Sequence, residues 1–543
     1  MPIRITGLNS GLDTEALVSE LVSAYRAKEQ KYEKAQKKLS WKQDAWKELN
    51  TKVKGLYDNI SNLRFSSAWT AKKTTVSDAT KATITASGNA VNGTHMLKVK
   101  QLAKGTYITS GELQLSNAQA GEKVTSATTL AELGYSGSGE SIQIKDSTGA
   151  VVKTINVSES TKITDVVSEL NGAGNVKASF DAANQRIFVS ANETGTKNAF
   201  SLDGSTEALK ALGLSADGGA KFVTAQDSEI ELDGATFTSG TNKYSINGLS
   251  IDCLAETGNS EISVTTSTDT QALYDQIKDV ISQYNSLMQE MTKLYNADSA
   301  KGYEPLTSEE KDAMTDTEVE EWEKKIKNAL LRRDDTLDGI MSVMKNSLTS
   351  TYYVYNGGAV TYDSKNNYYK CNGEALKDSN GAYITSQSAL SSWANANGVK
   401  KYSLSSFGIK TEAYASMTSS NTKNSYHIDG DSDDSVSKNN TDVLMNMLNS
   451  DPDTVTGFMK QMVSDLYSAI DGKMKSVKGL SSAYTIYNDI EMAQEYSDYT
   501  ETIKKWEEKV EDMEDSYYKK FAAMESALAS LQSQSSSLTS LLS

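Results

Sequence analysis

An apolar repeat of seven residues runs from Asp13 to Leu63 and limits the possible folds of this chain more than any other feature. The stretch contains no proline and one glycine, Gly55. The first heptad position is always apolar or aromatic, at Val18, Tyr25, Tyr32, Leu39, Trp46, Val53 and Ile60, and the fourth is apolar at Leu21, Ala35, Leu49, Leu56 and Leu63. So long a repeat predicts a helix of about 75 Å with a coiled-coil seam that packs against another helix.

The C-terminal part of the chain carries a second seam of the same kind. Its predicted members are Ile503, Trp506, Val510, Met513, Tyr517, Met524, Leu531 and Leu538. Residues 26–54 hold ten basic and four acidic side chains, whereas residues 489–525 hold twelve acidic and five basic ones. Opposite charges favour pairing between helices, so the two ends are predicted to form one stalk. The alternative is that each helix docks on a separate core.

The composition argues against several classes of protein. A formal net charge of −16 and a pI of about 4.9 argue against a general nucleic-acid binder, which needs a basic face for phosphates. No run of 18 apolar residues is present, so no membrane insertion is expected. The first residues lack the pattern of a cleaved signal peptide, which predicts either a cytosolic protein or export by a route that needs no such peptide.

Motifs of catalysis or metal binding are also missing from the sequence. Cys253 and Cys371 lie far apart, and His95 and His427 are the two histidines of the chain. No metal-ligand spacing, phosphate loop or nucleophile elbow occurs. We therefore predict no enzyme activity, no catalytic residue, no metal and no cofactor. The acidic run Asp429–Asp434 fails the calcium-loop template and is predicted to be a solvated part of a mobile loop.

Local patterns divide the middle of the chain. Strand-like alternation marks 82–85 and 95–99, and Asn92-Gly93 between them predicts a hairpin. Residues 111–224 look like a small α+β unit inserted between two strand-rich stretches. Helical patterns return at Thr268, and the capping boxes Thr307-x-x-Glu310 and Thr315-x-x-Glu318 predict two helix starts.

These patterns predict a multidomain α+β fold with long coiled-coil terminal helices, a helical leg domain and nested β-rich head domains. The predicted boundaries are 1–45 with 455–543 for the terminal coiled coil, 46–69 with 268–454 for the leg, 70–110 with 225–267 for the outer head domain, and 111–224 for the inserted one. Residues 352–402 hold eight tyrosines and are predicted to form a solvent-facing insertion in the leg rather than a ligand site.

The order of these parts resembles the bacterial flagellar filament cap proteins, the hook-associated protein 2 or FliD family. Four segments carry the resemblance. The N-terminal motif includes Ile5, Gly7, Leu8, Ser10, Gly11, Leu12 and Asp13, and the leg-domain motif includes Tyr303, Pro305, Leu306, Thr307, Trp322, Glu323 and Leu331. The others are Phe407–Thr411 and Tyr517–Ser536. Residues 140–215 also look like a repeat of the flagellin variable region.

The resemblance implies a structural cap at the distal tip of the filament, outside the cell. Its subunits would form a ring of identical chains, promote the folding and polymerisation of flagellin, and prevent its loss. The implied partners are the chain itself, flagellin, an export chaperone and the flagellar type III export apparatus, with no cleaved signal peptide.

Three other functions remain open at this point. A filament or hook–filament junction subunit would also have coiled termini. A surface adhesin could use the head insertions to bind host mucin or glycan. A peptidoglycan hydrolase is the third, although the sequence offers no carboxylate pair that we would nominate.

Overall fold

The computed structural model describes residues 10–119, 121–412 and 420–542. The chain folds into two units, which we call the helical unit (residues 1–69 and 270–543) and the β-rich unit (residues 70–269). The predicted fold class, a multidomain α+β chain with long terminal helices, is confirmed. The finer division into four parts stays a prediction.

One long helix opens the helical unit. Helix α1 (Thr14–Ile60) covers most of the predicted stretch, and Asp13 caps it by accepting a hydrogen bond from the Ala16 N–H at 3.0 Å. Such a cap satisfies one of the free N–H groups at a helix start. The buried face becomes continuous toward the C-terminal end of α1, where its buried residues include Trp46, Leu49, Val53, Leu56, Tyr57 and Ile60.

The β-rich unit consists mainly of short antiparallel strands. In chain order its elements are β1 (Lys72–Val76), β2 (Ala82–Ala86), β3 (Gly93–Gln101), β4 (Tyr107–Thr109), β5 (Ser138–Asp146), β6 (Val151–Ser158), α2 (Ile163–Asn171), β7 (Val176–Asp181), β8 (Arg186–Ala191), β9 (Phe200–Gly204), α3 (Thr206–Ala211), β10 (Lys221–Val223), β11 (Ser228–Leu232), β12 (Ala235–Ser239), β13 (Lys243–Ile246), β14 (Leu249–Cys253) and β15 (Ile262–Thr268).

These strands form four sheets around two apolar cores. The sheets β1-β15-β3-β11-β12 and β13-β14-β2 share a core that includes Leu97, Val99, Ile230, Ile251 and Val264. The sheets β10-β4-β8-β7 and β6-β5-β9 enclose a second core with α2 and α3, which includes Ile142, Ile144, Ile163, Leu170 and Val189. The second core is built from residues between Ile108 and Ala220, and strands of the first flank it in sequence.

The predicted hairpin at Asn92-Gly93 is wrong. Strand β2 pairs with β14, where Ile84 faces Ile251, whereas β3 pairs with β15 and β11. The Asn92 side chain accepts a hydrogen bond from Lys72 Nζ at 2.7 Å and donates one to Thr268 Oγ1 at 3.3 Å. Pairing with distant strands lets both strands bury their apolar faces, and this outweighs the local preference for a hairpin.

The helical unit resumes at Thr270. Its further elements are α4 (Thr270–Tyr295), α5 (Ser308–Asp312), α6 (Asp316–Asn328), α7 (Asp335–Leu348), β16 (Tyr352–Tyr355), β17 (Gly358–Ala359), β18 (Thr361–Asp363), β19 (Tyr368–Cys371), β20 (Glu374–Ala375), α8 (Gln387–Ala396), β21 (Lys401–Tyr402), β22 (Ile409–Thr411), β23 (Tyr426–Ile428), α9 (Val443–Ser450), α10 (Pro452–Lys473) and α11 (Asp489–Leu542). Both predicted capping boxes are present, at the starts of α5 and α6.

The tyrosine-rich stretch has a small core of its own. Buried Val360, Cys371, Leu376, Ile384 and Leu390 form it, and Tyr353, Tyr355, Tyr369 and Trp393 pack against it. The rings of these tyrosines pack on apolar neighbours, and the hydroxyl groups of Tyr353 and Tyr369 donate to Ser391 Oγ at 3.4 Å and to Gln387 Oε1 at 2.7 Å. Among the described residues, no helix is long and apolar enough to cross a membrane.

Candidate functional site

The two terminal helices pack against each other, as the sequence predicts, and the structure shows that they run antiparallel. Tyr32 of α1 lies beside Tyr499 of α11, with 6.3 Å between ring centroids, and Lys28 Nζ lies 5.0 Å from the Trp506 ring centroid. As residue numbers rise along α1, the numbers of their partners fall along α11. Aromatic rings, and a lysine ammonium group that lies over an indole ring, thus contribute to this contact.

The start of α1 contacts the same partner helix. The Ser10 hydroxyl and its backbone N–H both donate to the carboxylate of Glu525 on α11, which is 9% exposed. Gly11 adopts a φ of +69°, a left-handed conformation that suits glycine, and Asp13 then caps the helix. These motif residues therefore fix where α1 begins against α11. Leu12 is 47% exposed, and Ile5, Gly7 and Leu8 lie outside the described residues.

The predicted N-terminal seam is buried along only part of its length. Val18, Leu39, Trp46, Leu49 and Val53 are buried, and Tyr25 and Tyr32 are half-buried. Leu21 is a correction, because it is 44% exposed and Val22 beside it is fully buried. Thr14, Val18 and Val22 are spaced by four residues, so the contact stripe there departs from a strict heptad. That spacing is the signal that the heptad analysis missed.

The predicted C-terminal seam has a buried and an open part. Ile503 and Val510 are each 8% exposed, while Trp506, Met513, Tyr517 and Met524 are half-buried. Beyond Glu525 the burial ends: Leu528, Leu531 and Leu538 are 36%, 60% and 62% exposed. Residues 526–542 therefore form a helical end of about 25 Å, and its apolar stripe is largely uncovered as far as Leu538. We call these residues the open end of α11.

The ion pairs of α1 differ from the prediction that its basic residues pair with the acidic C-terminal helix. Among the ion pairs of the described residues, Arg26–Glu514 joins α1 to α11. The other inter-element pairs of α1 go to the middle of the chain: Lys34–Glu310 at 2.7 Å, Lys42–Asp334 at 2.9 Å and Lys52–Glu290 at 2.6 Å. The basic residues of α1 thus hold the helix to α4, α5 and the start of α7 as well as to α11.

One position in the terminal pair is electrostatically unfavourable. Carboxylate oxygens of Glu29, Glu33 and Glu507 lie within 4.8 Å of one another. Burial raises the pKa of Glu29 above its ordinary value, and the charges of Glu33 and Glu507 raise it further. Exposed acidic groups often lie this close without binding a metal, and the cluster offers no neutral nitrogen or sulfur ligand.

The leg-domain motif forms a clamp around α6. Tyr303 packs edge-on against Trp322 with 4.5 Å between ring centroids, and Trp322 Nε1 donates to the Glu304 carbonyl at 2.8 Å. Glu323 pairs with Lys311 at 2.7 Å and with Lys327 at 3.0 Å. Burial raises the pKa of Glu323, but the hydrogen bonds from Lys311 and Lys327 outweigh burial and leave it below its ordinary value.

The rest of this motif links the clamp to α1. Pro305 and Leu331 are buried, Leu306 and Thr307 are half-buried, and Thr307 caps α5 reciprocally with Glu310. The hydrogen bond from Lys34 of α1, together with the Thr307 N–H, lowers the pKa of Glu310. Thr307 and Glu310 thus join the clamp to the terminal helix.

The acidic run Asp429–Asp434, which was predicted to be solvated, is corrected in part, because Asp433 is exposed but two other carboxylates are buried. Asp429 and Asp431 are 7% and 8% exposed. Lys278 of α4 contacts Asp431 and Asp433 at 2.7 Å each, and Lys410 contacts Asp429 at 2.7 Å. Lysine ammonium groups therefore neutralise the buried carboxylates.

Comparison with known proteins shows which family of proteins this chain resembles. Two family models match, "Flagellar hook-associated protein 2 N-terminus" over residues 10–106 and "Flagellar hook-associated protein 2 C-terminus" over residues 225–533. The chain is 27% identical to flagellar hook-associated protein 2 of Halalkalibacterium halodurans over 375 residues, which cover 64% of this chain and 69% of that protein. It is 25% identical to the A-type flagellar hook-associated protein 2 of Pseudomonas aeruginosa over 311 residues, covering 52% and 62% respectively.

A solved structure is also similar. The crystal structure of the D1-D2-D3 domains of the flagellar cap protein FliD from Escherichia coli aligns with 78% of this chain and 95% of its own, at a TM-score of 0.47 and 18% identity. The sequence matches do not favour the alternatives of a filament or junction subunit or an adhesin.

Proposed function

This chain belongs to the flagellar hook-associated protein 2 family, whose members are structural proteins of the filament cap, and on that premise we propose how its parts cap the filament. The protein is a flagellar filament cap protein that self-associates at the distal tip, above flagellin. In our proposal identical chains close into a ring, flagellin folds and polymerises beneath it, and exported subunits are retained.

The open end of α11 carries this proposal. Leu531 and Leu538 expose more than half of their surface, and each leucine side chain gains about 1.5–3 kcal/mol when fully buried. A few such contacts give binding that is strong enough to hold a cap and weak enough to exchange as subunits are added. We therefore assign contact with the filament to the predicted C-terminal seam beyond Glu525.

In this proposal the packed part of the terminal helix pair keeps the leg rigid. Ile503 and Val510 of α11, with Trp46 and Val53 of α1, are buried within the helical unit. The two helices contact each other as far as the hydrogen bond between Ser10 and Glu525, and beyond it α11 continues without α1 beside it in the part of the chain that the structure describes. Such an arrangement suits a leg in which the packed helix pair is rigid and the open end of α11 can adapt to the filament.

Filament growth with purified components tests this assignment. The variant Leu531→Ser/Leu538→Ser should assemble into the same rings as wild type in negative-stain electron microscopy but should lose promotion of flagellin polymerisation. Leu254→Ser is the matched control, because Leu254 is a leucine of the β-rich unit that is 50% exposed. Normal growth with the double variant would refute the role of the open end. The absence of closed rings in wild type would refute the ring.

Further partners follow from the family resemblance and are proposals of the same kind. We assign an export chaperone to the exposed C-terminal leucines before secretion by the type III export apparatus. Co-purification with the chaperone should then fail for Leu531→Ser/Leu538→Ser. Host mucin or glycan remains a separate proposal for the β-rich unit, which glycan-array binding by the full chain would test. We propose a structural role without catalysis, and release of fragments from peptidoglycan would contradict it.

A further inference from the structure

A basic loop with exposed apolar side chains connects α10 to α11. Residues 473–484, which we call the basic loop, contain three lysines and no acidic residue. Lys475 and Lys478 are exposed, and within the described parts of the chain neither forms an ion pair. Large apolar side chains of the loop and of the start of α11 are exposed by 38–56%, namely Val477, Leu480, Tyr484 and Ile490. Lysines beside exposed apolar groups are typical of a surface that binds an acidic partner.

Hydrogen bonds and one unusual residue fix the shape of the basic loop. Val477 and Ser481 form an isolated antiparallel bridge, and the Tyr484 N–H donates to the Met474 carbonyl at 2.8 Å. Asn50 Nδ2 of α1 donates to the Tyr484 carbonyl at 3.3 Å. Tyr484 has a φ of +61°, a left-handed conformation that is unfavourable for a bulky residue. The loop thus holds an exposed aromatic ring in a conformation that proteins keep mainly at functional positions.

An acidic surface of the same unit matches this loop in charge. Residues 309–321, which run from α5 into α6 and which we call the acidic face, hold seven carboxylates and one lysine. That lysine, Lys311, is already paired with Glu323 at 2.7 Å. Half-buried Met314 and Val319 lie among carboxylates that are exposed and that form no ion pair with any described residue, namely Glu309, Asp312, Asp316 and Glu320. The acidic face therefore combines free carboxylates with apolar side chains.

The two surfaces contact α1 at different levels, which favours a contact between two chains. Glu310 of the acidic face pairs with Lys34, whereas the basic loop contacts α1 at Asn50. The 16 residues from Lys34 to Asn50 correspond to about 24 Å along the helix. Contact of either surface with its own copy would oppose like charges, which is unfavourable. The favourable contact joins two different surfaces, and such a heterologous contact is the kind that closes into rings.

We propose that the basic loop of one chain docks on the acidic face of the next chain. This inference rests on the proposed ring and names the leg surfaces through which neighbouring chains touch. The exposed lysines would pair with the exposed carboxylates, while Leu480 and Tyr484 would pack on Met314 and Val319. Exposed ion pairs stabilise weakly and mainly select the partner, so burial of the apolar side chains supplies more of the binding free energy.

Sedimentation velocity of the full-length protein at rising concentration, with negative-stain electron microscopy of the same samples, tests the proposal. Lys475→Glu/Lys478→Glu should raise the concentration at which half of the protein is assembled by about tenfold or more, because carboxylates then face carboxylates. Tyr484→Asn, which keeps a residue that tolerates the left-handed conformation, should also weaken assembly. The control is Lys123→Glu/Lys177→Glu, which changes the net charge equally at exposed lysines of the β-rich unit and should assemble like wild type.

Charge reversal on the acidic face identifies the partner surface. Asp312→Lys/Glu320→Lys should by itself weaken assembly. Its combination with Lys475→Glu/Lys478→Glu should restore assembly, since the same pairs then form with inverted signs. Asp312 and Glu320 lie outside the capping boxes of α5 and α6, so their replacement leaves both helix starts intact.

The outcomes separate this inference from the ring itself. A wild-type protein that stays monomeric at every concentration overturns both. If wild type forms rings and Lys475→Glu/Lys478→Glu forms them equally well, the inference alone is overturned. It is also overturned if the combined variant assembles no better than the variants of either surface. If the loop variant forms normal rings but no longer promotes flagellin polymerisation, the basic loop binds flagellin and not a second copy.

Discussion

The indole ring of Trp46 stacks on the phenol ring of Tyr487, with 5.6 Å between centroids and 7° between planes. Trp46 is 2% exposed and lies on α1, whereas Tyr487 lies just before α11 begins at Asp489. Beside them, the Ile486 N–H donates to Asn50 Oδ1 at 3.0 Å. This contact sets the position from which α11 runs back along α1, so the register of the terminal pair depends on it.

Truncation of Trp46 should therefore be costly. We expect Trp46→Ala to lower the free energy of unfolding by about 3–5 kcal/mol, because it removes a buried aromatic ring and leaves a cavity. Urea denaturation of the full chain, followed by circular dichroism, measures the loss. Leu21→Ala on the same helix is the control, and since Leu21 is 44% exposed it should change stability by about 0.5 kcal/mol or less. Equal losses for the two variants would contradict this account.

The Lys42–Asp334 pair offers a test of charge at a helix start. Asp334 caps α7 by accepting from the N–H groups of Thr336 and Leu337, and its side chain is 13% exposed. We expect Asp334→Ala to cost about 1–2 kcal/mol, since it removes both the cap and the ion pair. Asp334→Asn keeps a capping oxygen and should cost less. A double-mutant cycle with Lys42→Gln should give a coupling of about 0.2–1 kcal/mol, and no coupling would show that the pair only reflects proximity.

Lowering the pH below neutral should stabilise the packing of α1 on α11 near Glu29. The pKa of Glu29 is raised from its ordinary value of 4.5 in the folded protein, so the folded state binds a proton more readily than the unfolded state. Stability at this site is therefore gained as pH falls through the raised pKa and is lost again as pH rises. Glu29→Gln should increase the free energy of unfolding at pH 7. It should also remove the increase in stability that the wild-type protein shows as the pH falls from 7 toward 4.5, the ordinary pKa of the group. Thermal melts of both proteins across that range measure the difference.

A carboxyl group whose pKa is lowered by folding has the opposite effect, because the stability that it contributes is lost as the pH falls. Lys34 lowers the pKa of Glu310, so its contribution is present above the ordinary value of 4.5 and is lost as pH falls through the lowered pKa. Glu310→Gln is thus the matched comparison for Glu29→Gln. The account of Glu29 fails if both variants change the pH profile in the same direction.

The two parts of the C-terminal seam should differ in their contribution to stability. Ile503 is 8% exposed, so Ile503→Ala should cost about 2 kcal/mol or more, as for other buried aliphatic residues. Leu538 is 62% exposed, and Leu538→Ala should leave the unfolding midpoint of the isolated chain nearly unchanged. Denaturant unfolding at low protein concentration makes the comparison. A large loss for Leu538→Ala would show that the open end is covered in the free protein.

Features that depend on nearby residues were predictable from the sequence. The uninterrupted heptads predicted α1 almost to its ends, and the Thr-x-x-Glu patterns at Thr307 and Thr315 predicted the starts of α5 and α6. Each of these signals acts within one or two helical turns, so its physics is contained in the local sequence.

Features that depend on distant partners were not predictable in the same way. The partner of β2 is β14, more than 160 residues away, so the turn signal at Asn92-Gly93 carried no information about it. Asp431 of the acidic loop is buried, and Lys278 reaches it from α4. The uncovered stripe beyond Glu525 could not be distinguished by pattern from the covered one, since both follow the same repeat.

The hydrogen bond between Ser10 and Glu525 joins groups that are 515 residues apart in the chain. During synthesis Ser10 is made well before Glu525, so the end of α11 is not yet present when α1 emerges. Such a contact closes the longest kind of loop, which costs chain entropy and slows its formation. The β-rich unit is complete in sequence well before that moment and has its own cores. The contact between the two terminal helices can therefore form only after the β-rich unit is complete in sequence, which separates the folding of that unit in time from the packing of α11 on α1.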